Sequence, residues 1–244
     1  MARTDEGHQT PLHILLELNN STWGFDHHRI DCLLVVIRFL QEHGADVNAQ
    51  DYDHRTPLSL VMQYEASNLA RFLLENGADP ELKNKSGKAP LHILLGIQDY
   101  GWDRRYHNAG HILVVAQLLL EHGADVNVRD DDHNTPLFLA MRHGASNLVR
   151  FLLEHRADPN LQNKEGKTPF HELLEPQDSG WTPRYHSADY ICVVARLLLE
   201  HGADVNSRDN DHNTPLLLAR RRGSSNLEGF LLEQGADPDL RNVC

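Results

Sequence analysis

The sequence predicts an all-α solenoid of stacked helix pairs separated by β-hairpin-like fingers, and three observations predict it. A Thr-Pro-Leu element, with small variations, places prolines at Pro11, Pro57, Pro90, Pro136, Pro169 and Pro215. A Gly-Ala-Asp element marks the same units at Gly44, Gly77, Gly123, Arg156 (where Gly is lost), Gly202 and Gly235, and both markers advance in alternating steps of 46 and 33 residues. Trp23, Trp102 and Trp181 sit 79 residues apart, as do His28, His107 and His186, so the full period is a module of one long and one short unit, present three times. A unit this short cannot bury a hydrophobic face by itself and does so against its neighbours.

Counting from six residues before each proline, the units run 5–50, 51–83, 84–129, 130–162, 163–208 and 209–241, one array within residues 1–244. Thr56 offers a cap and Pro57 supplies a fixed φ for the first helical turn, with a short apolar run behind it at Leu58, Leu60, Val61 and Met62. The second helix of the short units starts at Ser67, Ser146 and Ser225, and residues such as Leu148, Phe151, Leu152 and Leu153 follow at helical spacing. Gly77 and its counterparts end that helix, because the closing residue takes a left-handed conformation that glycine adopts without penalty. The polar segment after it forms a finger leading to the next unit. The long units carry 13 extra residues between their two helices, near 18–30, 97–109 and 176–188. These inserts lie at the end away from the fingers, on the order of 20 Å apart if helices pack at the usual spacing.

Residues 5–241 thereby resemble the ankyrin repeat: Thr10-Pro11-Leu12-His13, Thr135-Pro136-Leu137 and the run Leu119 to Asn127, LLEHGADVN, match it residue for residue. His8, His54, His133 and His212 occupy the finger-turn position where that family usually has Gly, and histidine is among the residues enriched at positive φ. Arg156 replaces a capping glycine, which is expected to cost on the order of 1 kcal/mol if the left-handed geometry is kept. In the family His13, His92 and His171 are read as hydrogen-bonding ties between neighbouring units. The resemblance also implies that Asn48, Asn127 and Asn206 can be hydroxylated. Most of all it implies a non-catalytic protein-binding scaffold.

Lys plus Arg is 23 against 35 for Asp plus Glu, a formal charge of −12. That disfavours nucleic acid and anionic membrane surfaces, which need neutralised phosphates, and favours a protein partner, a basic one especially. Three cysteines, Cys32, Cys192 and Cys244, make no disulfide framework, and no apolar run spans a membrane, so a cytoplasmic or nuclear protein is expected. The 17 histidines are one motif multiplied. His107 and His111 share a helical face, but equivalent histidines fall on the order of 20 Å apart whereas zinc ligands lie about 2 Å from the ion, so no metal site is expected. No nucleophile recurs beside a base and no Gly-rich phosphate loop is present, so neither catalytic residues nor a cofactor is expected.

Carried over from the family, the partner-binding positions are the finger tips and the inner, first-helix face: Tyr52, Arg55, Gln63 and Tyr64; Asp131, Asp132, Asn134, Arg142 and His143; Asn210, Asn213, Arg221 and Arg222. The inserts add Trp102, Arg105 and Tyr106, then Trp181, Arg184 and Tyr185, an aromatic and Arg mixture typical of interfaces, against the competing reading that each Trp anchors its own loop. Even fingers carry acidic groups and odd fingers lysines, which either support one another or steer a partner. A second reading is a spacer or end-to-end oligomerising module, either a monomer or a weak oligomer. Glu228 stands where the other units have Ile, Ala or Val and reads as a partial end cap.

Overall fold

The computed structural model of the chain describes residues 9–20, 27–63, 66–96, 109–143, 146–175 and 188–240. These residues form twelve helices and no strand. They divide into two compact units, 1–131 and 132–244. The first contains α1 (Pro11–Asn20), α2 (His27–Glu42), α3 (Pro57–Val61), α4 (Ser67–Glu75), α5 (Pro90–Gly96) and α6 (Ala109–Glu121). The second contains α7 (Pro136–His143), α8 (Ser146–Glu154), α9 (Pro169–Leu174), α10 (Ala188–Glu200), α11 (Pro215–Arg221) and α12 (Ser225–Glu233).

Every first helix begins at its proline and every short-unit second helix at its serine, which is the first helical residue and not the cap: α4 and α12 are preceded by Ala66 and Ser224, and neither makes a side-chain cap bond. Thr56 shows the capping chemistry of a first helix: its side chain accepts the Ser59 N–H at 3.1 Å while the Ser59 hydroxyl oxygen accepts the Thr56 N–H at 2.9 Å, so two otherwise orphaned donors are satisfied. Helices stack by order of appearance. In the first unit α3 lies on α1, α5 on α3, α4 on α2 and α6 on α4; in the second α9 lies on α7, α11 on α9 and α10 on α8. The core between the two layers is aliphatic, with Leu58, Leu69, Leu73, Leu91 and Leu119 in the first unit and Leu137, Leu152, Leu173, Leu198 and Leu231 in the second all closed to solvent. At roughly 1.5–3 kcal/mol for each fully buried side chain, this layer dominates the driving force for folding.

Left-handed residues fall where the repeat demands them. Gly44, Gly77, Gly123, Gly202 and Gly235 close second helices at φ 85–94°, and Arg156 does the same at φ 70°. In the fingers His54, His133 and His212 adopt φ 56–62°. Histidine therefore holds the turn, as its enrichment at positive φ allows. His8 lies outside the described residues.

Histidines also join successive repeats. Thr168 donates its backbone N–H to His171 Nδ1 at 3.2 Å, so Nδ1 must be the acceptor and the Nε2–H must point outward; it donates to the Asn213 carbonyl oxygen at 3.0 Å. His13 repeats the arrangement on the Arg55 carbonyl oxygen at 2.8 Å. A second ladder runs along the Gly-Ala-Asp turns: Asn48 Nδ2 donates to the Gly77 carbonyl oxygen while its Oδ1 accepts the Asp79 N–H, and Asn160 and Asn206 each do the same to the turn that follows them. Asn48 and Asn206, two of the residues read as hydroxylation candidates, therefore spend both ends of the amide on this ladder.

Candidate protein-interaction surface

Four of the described fingers are folded by their first residue. Asp51 Oδ1 accepts the N–H groups of Asp53 and Arg55, Asn84 those of Ser86 and Lys88, Asn163 those of Glu165 and Lys167, and Asp209 those of Asp211 and Asn213. The short Asp and Asn side chains thus close successive turns, and Asp51 and Asp209 are buried while doing so, as is Asp130 at the same position. Three of the carboxylates that gave the even fingers their acidic character therefore face inward. The solvent-facing charge of those fingers comes from Asp53, Asp131, Asp132 and Asp211.

Neighbouring fingers touch through backbone and charge. In the first unit Lys85 N–H donates to the Asp53 carbonyl oxygen and Asp131 N–H to that of Ser86, while Lys85 Nζ lies 3.8 Å from Asp53 Oδ1 and 3.2 Å from the Tyr52 ring centroid. In the second, Lys164 N–H reaches the Asp132 carbonyl oxygen and Asn210 N–H that of Glu165, with Lys164 Nζ 3.7 Å from Asp132 Oδ1. Gly87 and Gly166 permit this approach. A Cβ on Gly87 would stand 2.6 Å from the Asp131 amide nitrogen, and one on Gly166 2.7 Å from that of Asn210.

The predicted contact residues sort into three groups. Tyr52, Gln63, Asp131, Asp132, Asn210 and Arg221 present exposed side chains at finger tips and first-helix ends. Others are spent partly or wholly on the fold. Arg55 is clamped between Asp51 at 2.7 Å and Glu17 at 2.9 Å. Asn134 and Asn213 are buried, the first accepting from Asn163 Nδ2 and the second donating to Asp209 Oδ2. Arg222 donates from Nε to the Leu174 carbonyl oxygen and from a terminal nitrogen to that of Glu175, both at 2.8 Å, and burial pulls its guanidinium down from the usual Arg range. Arg142 is exposed yet anchored, its Nε 3.1 Å from the buried carboxylate of Glu172. The remainder, Tyr64, Trp102, Arg105, Tyr106, Trp181, Arg184 and Tyr185, lie outside the described residues, as does the side chain of His143.

Glu172 and Glu175 were not among the sequence candidates, yet they organise this face. Lys167 is buried enough to disfavour its charge, but its hydrogen bonds to Glu165 and Glu175 and the field of Glu175 outweigh that and hold its ammonium well above the ordinary lysine value. The acidic residue directly after His171 in the first helical turn is the sequence signal that marks this position.

Ten of the histidines have structural work: three sit in caps (His13, His92, His171), three hold left-handed turns, and His43, His122, His155 and His201 each donate from Nδ1 to the carbonyl oxygen one turn back at a helix end. Among the described residues no group of three or more His, Cys, Asp or Glu could hold a metal ion, and no helix is long and apolar enough to cross a membrane.

Comparison with known proteins places this architecture. Family models described as ankyrin repeats in many copies match residues 40–94 and 119–173, a three-copy ankyrin model matches 168–242, and a single ankyrin repeat model matches 86–131. No match is found among curated proteins. Of solved structures, an ankyrin repeat domain from Acinetobacter baumannii AYE is similar at 24% identity and a TM-score of 0.70, covering 92% of this chain and 99% of that one. The ankyrin repeat domain of Bcl-3, described as a unique member of the IkappaB protein family, is similar at 24% identity and a TM-score of 0.72, covering 97% of this chain and 91% of that one. Repeat spacing, cap chemistry, left-handed turns and these matches agree: the chain belongs to the ankyrin repeat family.

Proposed function

We propose that this chain is a non-catalytic recognition module that binds a protein partner, a basic one by preference, through its finger tips and first-helix ends. The observation that carries this reading is a contrast between equivalent positions of the three modules. Core residues repeat almost unchanged, as Leu58, Leu137 and Leu216 or Leu73, Leu152 and Leu231 do, whereas the exposed finger tip is Tyr52, Asp131 or Asn210 and the exposed helix end Gln63, Arg142 or Arg221. Ten histidines are committed to caps, turns and helix ends, while the finger-tip and helix-end side chains named above are varied and fixed on rigid elements. Such a surface suits shape and charge recognition with little rearrangement. Ankyrin repeats are in general protein-interaction modules, which supports the same reading. We place it in the cytoplasm or nucleus from its cysteine usage.

The test is affinity capture from a cell lysate by the wild-type chain beside a Tyr52→Ala, Asp132→Ala, Asn210→Ala, Arg221→Ala variant, both checked for helicity. A partner retained by the wild type, lost by the folded variant and released at high salt supports the reading. Identical capture by both proteins moves the site to the inserts, and capture by neither favours a spacer.

A further inference from the structure

The loop between α11 and α12 departs from its two counterparts in two ways at once. Where the loops before α4 and α8 read Met62-Gln63-Tyr64 and Met141-Arg142-His143, this one reads Arg220-Arg221-Arg222, and where they place Ala66 and Ala145 directly before the helix serine, it places Ser224. Nowhere else does the chain hold three consecutive Arg or Lys residues, and the formal net charge of −12 makes this run a local exception.

The fold does not use the Ser224 hydroxyl. Ser224 is the N-cap of α12, at φ −92° and ψ 89°, yet its side chain makes no cap bond. Helix α4 starts equally well behind Ala66, which has no hydroxyl to offer. Backbone bonds hold the loop in place: Glu228 N–H donates to the Ser224 carbonyl oxygen at 3.0 Å, and Gly223 N–H to that of Arg220 at 2.9 Å. The loop is open to solvent. Arg221, Gly223 and Ser225 are exposed and Ser224 is half-buried, while Gly223, left-handed at φ 68°, has open space where a Cβ would project.

The three arginines are not equivalent. Arg220 pairs with Glu228 at 2.7 Å, and Arg222 spends its donors on the neutral Leu174 and Glu175 carbonyls. Arg221 is exposed, three residues before Ser224. Guanidinium groups two and three residues ahead of a serine suit the acidic substrate cleft of an arginine-directed kinase, whose carboxylates take them in bidentate pairs. A phosphate on Ser224 also suits the fold, because it stands at the positive end of α12 and beside the arginines.

We propose that Ser224 is a phosphorylation site for an arginine-directed serine kinase, which reads Arg221 and Arg222 ahead of it. Ser224 Oγ attacks the γ-phosphorus of ATP, the bond from that phosphorus to the bridging oxygen breaks to release ADP, and the hydroxyl proton passes to the kinase's own base. The phosphate brings a charge of about −1.5 to −2 at neutral pH and offsets much of the arginine run. It thereby alters the end of α11, where Arg221 is assigned to the recognition surface. That consequence rests on the recognition reading, whereas the modification itself does not.

Incubating the folded full chain with the catalytic subunit of the cyclic-AMP-dependent protein kinase and Mg-ATP tests this with no partner present, read by intact mass and by fragmentation of the modified peptide. The wild type is expected to take up one phosphate, on Ser224. Ser224→Ala reproduces the loops that carry Ala66 and Ala145, so it keeps the fold, and it is expected to take up none. Ser225→Ala is expected to be modified as the wild type is, and Arg221→Gln to react about tenfold more slowly, the loss of one charge-assisted contact. A folded wild type that takes up no phosphate, a phosphate mapped to Ser225 or retained by Ser224→Ala, or an Arg221→Gln chain modified at the wild-type rate each overturns the proposal.

Discussion

His171 Nε2 donates to the Asn213 carbonyl oxygen at 3.0 Å while its Nδ1 accepts the Thr168 N–H, so one neutral imidazole caps α9 and ties it to the next finger. Burial lowers its pKa below the ordinary 6.5, although the bond to Asn213 and the nearby Asp209 and Glu175 pull the other way. A lowered folded-state value means the unfolded chain takes up the proton first. The stabilisation is complete above about 6.5 and is lost as pH falls through the lowered value. Urea unfolding between neutral and mildly acidic pH should show stability falling over that interval, with a shallower fall in His171→Leu.

Arg156 closes α8 at φ 70°, and the glycines in the same role elsewhere have open space, nothing within 4 Å, where a Cβ would project, so the cost at Arg156 is backbone strain rather than crowding. Arg156→Gly should raise the unfolding free energy by about 1 kcal/mol. Chemical denaturation measures it, and an unchanged midpoint would show that the arginine side chain compensates.

Gly87 and Gly77 are both left-handed, at φ 68° and 86°, but only Gly87 faces a neighbour, Asp131. Gly77→Ala should cost about 1–2 kcal/mol from strain alone. Gly87→Ala adds a collision with backbone and should cost about 2–4 kcal/mol. Equal midpoints for the two variants would mean that the fingers separate without penalty.

Much of this architecture could be read from the sequence because its determinants are local. Proline at the first turn, serine at the second helix and a left-handed closing residue are decided by φ and by nearby hydrogen bonds, and they appear where expected, even with His54, His133, His212 and Arg156 in glycine's place. The surface was less legible. Asn134 and Asn213 looked like finger-tip contacts, and their burial follows from a turn in which the residue four after the leading Asp folds back on it. Arg222 and Arg142 depend on partners that lie 48 and 30 residues away, which no local pattern reveals.

Glu81 stands where the ladder elsewhere has Asn48, Asn160 or Asn206. It accepts the Asp125 N–H at 2.8 Å but, as a carboxylate, donates nothing in return. Burial raises its pKa, helped by the charges of Asp125 and Asp79, so the site is an uncomfortable one for an anion. Glu81→Asn supplies the missing donor and removes the charge, and should stabilise the first unit by about 1 kcal/mol in thermal or urea unfolding.

Protein recognition by the fingers is tested most directly by hydrogen exchange of the chain alone and in complex with a captured partner. Slowed exchange is expected at the finger segments 51–55, 130–134 and 209–213 and at the ends of α7 and α11, with the second helices unchanged. Protection absent from every finger and confined to the inserts or to second helices would contradict it.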